Sequence, residues 1–334
     1  MKSIQYLGAY DVKMVEADIP EPAPGWARVK ISYAGICGSD FGTYWGVHPR
    51  AKAPLIMGHE MAGVLDTPTA EIPKGTPVAI NPLIKCGKCY PCKNGQSHVC
   101  NTLRLYGFDA PGGMAEYVCV PEAAIICLPD SLDLSLGALL EPIAVAVHAV
   151  RQAKFVAGGS VIVLGAGPIG LCVALVLRHF GSISVIVAEN DDSRLKMAKE
   201  MGFETIHTDN DLRKLVEERT DGNGFDHVFD CAGAPSAAAL CFDLVRVQGQ
   251  IVVVAAYKRP VDGLPFFVGM MKELSIDFVR VYRDEDFPIA IDLVTREPLF
   301  ARLITHILEP EQAAEGFDLL LTKGSGAVKV LYKF

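Results

Sequence analysis

The stretch from Ser160 to Gly170 reads SVIVLGAGPIG, an apolar run that passes into three glycines at the spacing G-x-G-x-x-G. Glycines at this spacing often mark only a turn, so the context has to carry the reading. Here the run before Gly165 has the β-branched composition of a buried strand, and IGLCVALVLRHF after it has that of a helix. In that setting Gly165, Gly167 and Gly170 permit a tight turn and close backbone approach. Pro168 and Ile169 open the helix, whose free N–H groups can receive a pyrophosphate. An acidic residue is then expected at the end of the next strand, to accept hydrogen bonds from the adenosine ribose. Glu189 ends ISVIVAE. Its charge and the following Asn190 favour NAD over NADP, with Arg194 placed one helical turn on.

Strands and helices go on alternating around this stretch. DSRLKMAKEMG and DLRKLVEER read as helices, DHVFDCAG and GQIVVVAA as strands. Such alternation builds a parallel sheet covered on both faces. The first 130 or so residues differ, being rich in Gly and Pro with short Val/Ile runs such as ARVKISYAGI and TPVAI. SLDLSLGALLEPIAVAVHAVRQA then has helical spacing, with Pro142 expected to bend it. The end, AVKVLYKF, reads as a closing strand. The fold class is α/β in two domains: a β-rich one from 1–150 and 286–334, and a doubly wound parallel-sheet one from 151–285.

Composition bounds the partners. The 334 residues carry a net charge of −8, half are hydrophobic and 21% are charged. An acidic, well-packed chain gives no reason to expect nucleic acid or an anionic membrane as partner. The N-terminal stretch lacks an apolar signal core, and the run around Ser160–Phe180 is broken by glycines and Pro168, so a cytoplasmic protein without a membrane span is expected. In that reducing compartment the ten cysteines stay free or bind metal.

Cys86, Cys89, Cys92 and Cys100, in CGKCYPCKNGQSHVC, follow C-x2-C-x2-C-x7-C. Four thiolates so spaced can close a tetrahedron around zinc with no open position, a structural site in a lobe at about 84–102. Iron–sulfur clusters also take four thiolates, but their commonest spacings differ. Lys85, Lys88 and Lys93 offset the thiolate charge. A second set is scattered: Cys37 in AGICGSD, His59 and Glu60 in IMGHEMAG, and Glu141 in LLEPIAV. Each alone reads as a core or surface residue, although a lone carboxylate in so apolar a stretch as LSLGALLEPIAVAV is costly. Together they offer a thiolate, an imidazole and carboxylates, which suit a catalytic zinc with an exchangeable position.

GICGSD, GHE, the four-cysteine lobe, GGMAEYV, LLEP, GAGPIG and GAVKVLYKF, in that order, resemble the zinc-dependent medium-chain alcohol dehydrogenases, in particular their polyol (sorbitol-type) and threonine dehydrogenase branch. The resemblance spans essentially the whole chain. It implies a GroES-like catalytic domain, a Rossmann NAD-binding domain, two Zn2+ per chain and a homodimer or homotetramer. It makes Cys37, His59 and Glu60 ligands of the catalytic zinc, with Glu141 bound directly or through water. Ser39 matches the hydroxyl that hydrogen-bonds the substrate oxygen and starts a proton relay. Many relatives continue that relay through a histidine three residues on, where this chain has Gly42; His48 or waters are the remaining candidates.

The implied reaction is reversible oxidation of a secondary alcohol, with hydride transfer to NAD. A polyol, sugar or sugar acid is the expected small-molecule substrate, and Tyr44, Phe108, Arg280 and Tyr282 are the candidates to contact it. A threonine-type amino alcohol or a vicinal (butanediol-type) diol is the alternative. A non-catalytic zinc- and nucleotide-binding protein is the alternative from another class, and nothing in the ligands, the serine or the fingerprint supports it.

Overall fold

In a computed structural model that describes all residues from Met1 to Phe334, the chain forms two compact units. One comprises Met1–Pro142 and Arg283–Phe334, the other Ile143–Tyr282.

The second unit is a six-stranded, all-parallel sheet. Its strands lie in the order Glu204–His207, Ser184–Glu189, Ser160–Leu164, Phe225–Asp230, Val245–Val253, Ser275–Phe278. Strand order reverses beside Ser160–Leu164, so the glycine turn that follows this strand lies at a topological switch point, where open α/β sheets bind ligands. Val161, Ile162 and Val163 are fully buried, and each such side chain contributes about 1.5–3 kcal/mol. The helix Pro168–His179 buries one continuous run from Gly170 to Leu177.

The first unit centres on a seven-stranded sheet. Trp26–Gly35 pairs antiparallel with Glu60–Leu65 on one side and with Lys329–Lys333 on the other. The chain's closing strand therefore lies between Trp26–Gly35, from near the start, and Ile304–Leu308, as expected of AVKVLYKF. The long helical pattern before residue 152 is interrupted, but not at Pro142. It forms Leu134–Ala138 and Leu140–Gln152, with the break at Leu139. Pro142 falls in the first turn of the second helix, where no backbone N–H is needed.

Candidate active site and metal centres

Three neighbouring strands build the first centre. Gly35, at the end of Trp26–Gly35, pairs with Glu60 at the start of Glu60–Leu65. A Cβ on Gly35 would meet Glu60 Oε2 at 2.3 Å, so glycine is what leaves room for that carboxylate. The chain then turns through Cys37 and Ser39 into a short helix, Asp40–Tyr44. Asp40 fixes this turn, because its Oδ2 accepts the Cys37 N–H at 2.8 Å. Its Oδ1 lies 3.5 Å from His59 Nδ1, both side chains being buried. The far ring nitrogen, Nε2, lies 3.3 Å from Ser39 Oγ. A carboxylate behind one nitrogen of a histidine holds the ring and leaves the other nitrogen for a ligand. Burial disfavours charge on His59, yet Asp40, Cys37 and Glu141 outweigh it and raise the imidazole well above its usual value. A half-buried thiol and buried carboxylates near one imidazole are a setting for a cation, and the donor types fit zinc.

Glu60 differs from its expected place among open ligands. Both its oxygens accept from Lys329 Nζ, at 2.7 and 2.6 Å, and Nζ also donates to the Ile36 carbonyl at 2.9 Å. The pair is nearly sealed, with side chains 1% and 3% exposed. A carboxylate this deep needs a cation beside it, and Lys329 supplies one from the strand on the far side of Trp26–Gly35. Burial lowers the Lys329 pKa, but Glu60, Cys37 and Glu141 more than reverse this and hold it above the usual lysine value. Glu141 lies in the first turn of Leu140–Gln152, a position suited to an anion. Lys329 and Asp40 were both missed in the sequence. The one signal for Lys329 is a lone charge in the apolar run GAVKVLY; Asp40 has the ordinary look of a helix start.

At the second centre the sulfurs of Cys86, Cys89, Cys92 and Cys100 lie within 4.8 Å of one another, and no other cluster of this kind occurs. The backbone N–H groups of Lys88 and Cys89 pull the Cys86 thiol down to about 6. Burial and the neighbouring thiols push Cys92 up to about 12. Four sulfurs so close cannot all ionise without a dication among them, and the set fits a closed tetrahedral zinc site.

In the second unit a cavity of about 500 Å³ is lined by Gly165, Gly167, Glu189, Arg194, Thr208 and Cys231, among others. Gly165 has φ +100°, and a Cβ on Gly170 would meet the Gly165 carbonyl oxygen at 1.9 Å. These two positions are closed to other residues. Glu189 does more than wait for a ribose. Its Oε2 accepts the Ala166 N–H at 2.8 Å, inside the glycine turn, and its Oε1 accepts Asn190 N–H at 2.7 Å and Asp191 N–H at 3.2 Å. Pro168 and Ile169 start the helix as expected. Asp191 caps the next helix, Asp192–Glu200, by accepting from Ser193 and Arg194 N–H.

The four residues proposed to meet substrate separate. Phe108 is buried and lies 5.1 Å, ring to ring, from His59. Tyr44 is instead a core residue, stacked on Phe317 at 4.9 Å. Tyr282 is fully buried, and Arg280 is exposed. Between them Val281 has φ +47°, a left-handed conformation that strains a β-branched residue. His48 stacks on Phe108 at 4.4 Å. Its Nδ1 accepts N–H from Arg50 at 3.3 Å and Ala51 at 3.0 Å, which leaves the proton on Nε2 in the neutral ring. So held, His48 is a donor and cannot take a relayed proton without breaking those bonds.

Comparison with known proteins settles the family. Residues 23–130 match the alcohol dehydrogenase GroES-like domain, and residues 168–296 the zinc-binding dehydrogenase domain. The 2-dehydro-3-deoxy-L-galactonate 5-dehydrogenase of Pseudoalteromonas atlantica is 36% identical over 305 residues, covering 88% of this chain and 87% of that one. The chain belongs to the zinc-dependent medium-chain alcohol dehydrogenases. A sorbitol dehydrogenase of Halalkalibacterium halodurans is 34% identical, with 93% of each chain covered. Among solved structures, the RspB alcohol dehydrogenase of Escherichia coli in complex with NADH aligns with a TM-score of 0.92 at 32% identity, over 100% of this chain and 99% of that one. This dehydrogenase therefore has the GroES-like and Rossmann-type parts expected of it, and no helix in it is long and apolar enough to cross a membrane.

Proposed function

We propose that this dehydrogenase oxidises a secondary alcohol of a polyol, sugar or sugar acid with NAD, using zinc at Cys37, His59 and Glu141 and a second zinc at the four-cysteine lobe. The observation that carries the reading is the Asp40–His59–Ser39 line, which presents one ring nitrogen beside a hydroxyl at the edge of a buried anionic cluster. Bound zinc supplies the Lewis acidity that lowers an alcohol's pKa, and NAD accepts the hydride. The chain's own part is positional. Asp40 fixes the imidazole, and Lys329 pairs with Glu60 inside the sheet. Exposed Ser39 offers Oγ to the substrate hydroxyl and takes its hydrogen bond. Glu189 locks the glycine turn on which a pyrophosphate would rest.

The finer readings are a cytoplasmic homo-oligomer and a preference for NAD over NADP. Self-association is supported by the helix Phe266–Met271 and the sheet's edge strand Ser275–Phe278. They leave Phe266, Phe267, Met270, Met271 and Phe278 63–78% exposed, an apolar patch of the kind that marks an interface. Light scattering on the wild type and Phe278→Glu would test it, the variant being expected to shift toward monomer. For the reaction, the decisive experiment is reduction of NAD and NADP across polyols, sugar acids, threonine and butanediols. Turnover of a polyol or sugar acid that a chelator abolishes is the expected result. Silence across the panel in a zinc-replete sample would overturn it.

A further inference from the structure

The catalytic unit has a hollow whose charge runs against that of the chain. It has a volume of about 460 Å³, and its lining includes Arg50, Lys52, Arg104, Phe108 and Asp109. Three cations thus face one carboxylate in a protein whose net charge is −8. That carboxylate is already engaged: Asp109 Oδ2 accepts the Leu105 N–H at 2.9 Å and lies 3.4 Å from Arg50 Nη2. Arg50 Nη1 donates to the Leu103 carbonyl at 2.6 Å, so its guanidinium is held before any ligand arrives. Lys52 and Arg104 make no ion pair, and both are exposed. An adjoining hollow of about 660 Å³ shares Arg50, Arg104 and Asp109 and adds Lys85 and Lys88. Lys85 is occupied by Asp284 at 2.7 Å and Lys88 lines only the adjoining hollow, so Arg50, Lys52 and Arg104 are the cations that face the first one.

Phe108 ties the hollow to the reaction centre. The side chain that lines it also lies against His59 and His48. Phe108 thus stands between the hollow and His59, one ring deep, so a ligand anchored in the hollow would reach that imidazole past the edge of the Phe108 ring. Arginine's planar fork matches carboxylate and phosphate oxygens, and a guanidinium already fixed loses little freedom on binding.

We propose that Arg50, Lys52 and Arg104 form a subsite for the oxyanion terminus of the alcohol substrate, the carbinol lying toward His59. The substrate is then a sugar acid or a phosphorylated polyol rather than a neutral one. This rests on the reaction proposed above and adds its substrate class.

The test compares wild type with Lys52→Gln/Arg104→Gln, whose side chains hold no partner that folding needs. Zinc- and NAD-loaded enzyme is assayed on sorbitol, gluconate and sorbitol phosphate at low and physiological salt. Binding of gluconate and of inorganic phosphate to the same preparations is followed by calorimetry. The expected result is that wild type prefers one anionic substrate. The double variant should cut the ratio of anionic to neutral kcat/KM about 10-fold, through KM, with a smaller difference at higher salt. Preference for gluconate would assign a carboxylate, and preference for sorbitol phosphate a phosphate. Equal loss on charged and neutral substrates, or no loss, would overturn the subsite. If no alcohol is turned over, calorimetry decides: weaker anion binding by the variant keeps the subsite and brings down the reaction, and equal binding brings down the subsite.

Discussion

Around His59 the side chains proposed to hold a metal lie at the ends of sheet strands and on a helix, beside a sheet whose own residues, Ile31, Met61 and Val330, are 0–1% exposed. Around Cys86 they stand on a loop in which only Pro91, His98 and Cys100 are buried, closed by the two short strands Leu83–Ile84 and Arg104–Leu105. The first scaffold exists without a metal and shapes the site for it. The second has almost no apolar core, so the metal takes the place of one. The same element thus has opposite relations to folding in one chain, and the relation follows from how much apolar surface surrounds the ligands.

The largest effects should fall on activity alone. Cys37→Ser or His59→Ala should lower kcat/KM by about 1,000-fold or more, some 4 kcal/mol of barrier, while circular dichroism and melting stay near wild type. Cys86→Ser or Cys89→Ser should do the reverse: one zinc fewer by elemental analysis, and rapid proteolysis between Lys85 and Asn101. Equal loss of folding in all four variants would erase the distinction between the two centres.

Next in size is Lys329→Met, which leaves Glu60 without its cation inside the sheet. Denaturant titration should show a loss of about 3–5 kcal/mol, largely restored by adding Glu60→Gln. An unchanged midpoint would mean the pair does not stabilise the sheet. Glu189→Ala should weaken NAD about 10-fold and relax discrimination against NADP. It should also loosen the glycine turn through its lost bond to Ala166, visible as faster amide exchange there without cofactor.

The smallest is Asp191→Ala, a lost helix cap of about 1 kcal/mol. The Ser193 hydroxyl and the Arg194 and Ser193 N–H groups hold the Asp191 carboxyl below its ordinary value. A pKa depressed by folding gives stability that is present above the unfolded value of about 3.9 and lost as pH falls through the folded one. The difference between wild type and variant should therefore persist at neutral pH and vanish at the acid end. A difference that grew on acidification would contradict the assignment.

The sequence made most of this legible because the informative features are local. Gly165 to Gly170, the four-cysteine spacing and GHE each carry their chemistry within a few residues. What it hid depends on contacts between distant strands. Lys329 meets Glu60 across 269 residues of chain, and nothing near either residue names the other. Tyr44 looked like a pocket residue because it follows the catalytic turn, but the short helix Asp40–Tyr44 turns it onto Phe317. The helical pattern breaks at Leu139 and not at Pro142 because a proline in a helix's first turn needs no backbone N–H, and composition does not mark where a chain must change direction.

That same Lys329 sets an order of assembly during synthesis. The unit Ile143–Tyr282 is continuous and can fold as soon as it leaves the ribosome, whereas the sheet holding Glu60 lacks the strand that carries its cation until Lys329–Lys333 is made. At about 5–20 residues per second, that wait is roughly ten seconds to a minute. Through it, a nascent half-sheet with an unmatched buried acid is what a chaperone would meet.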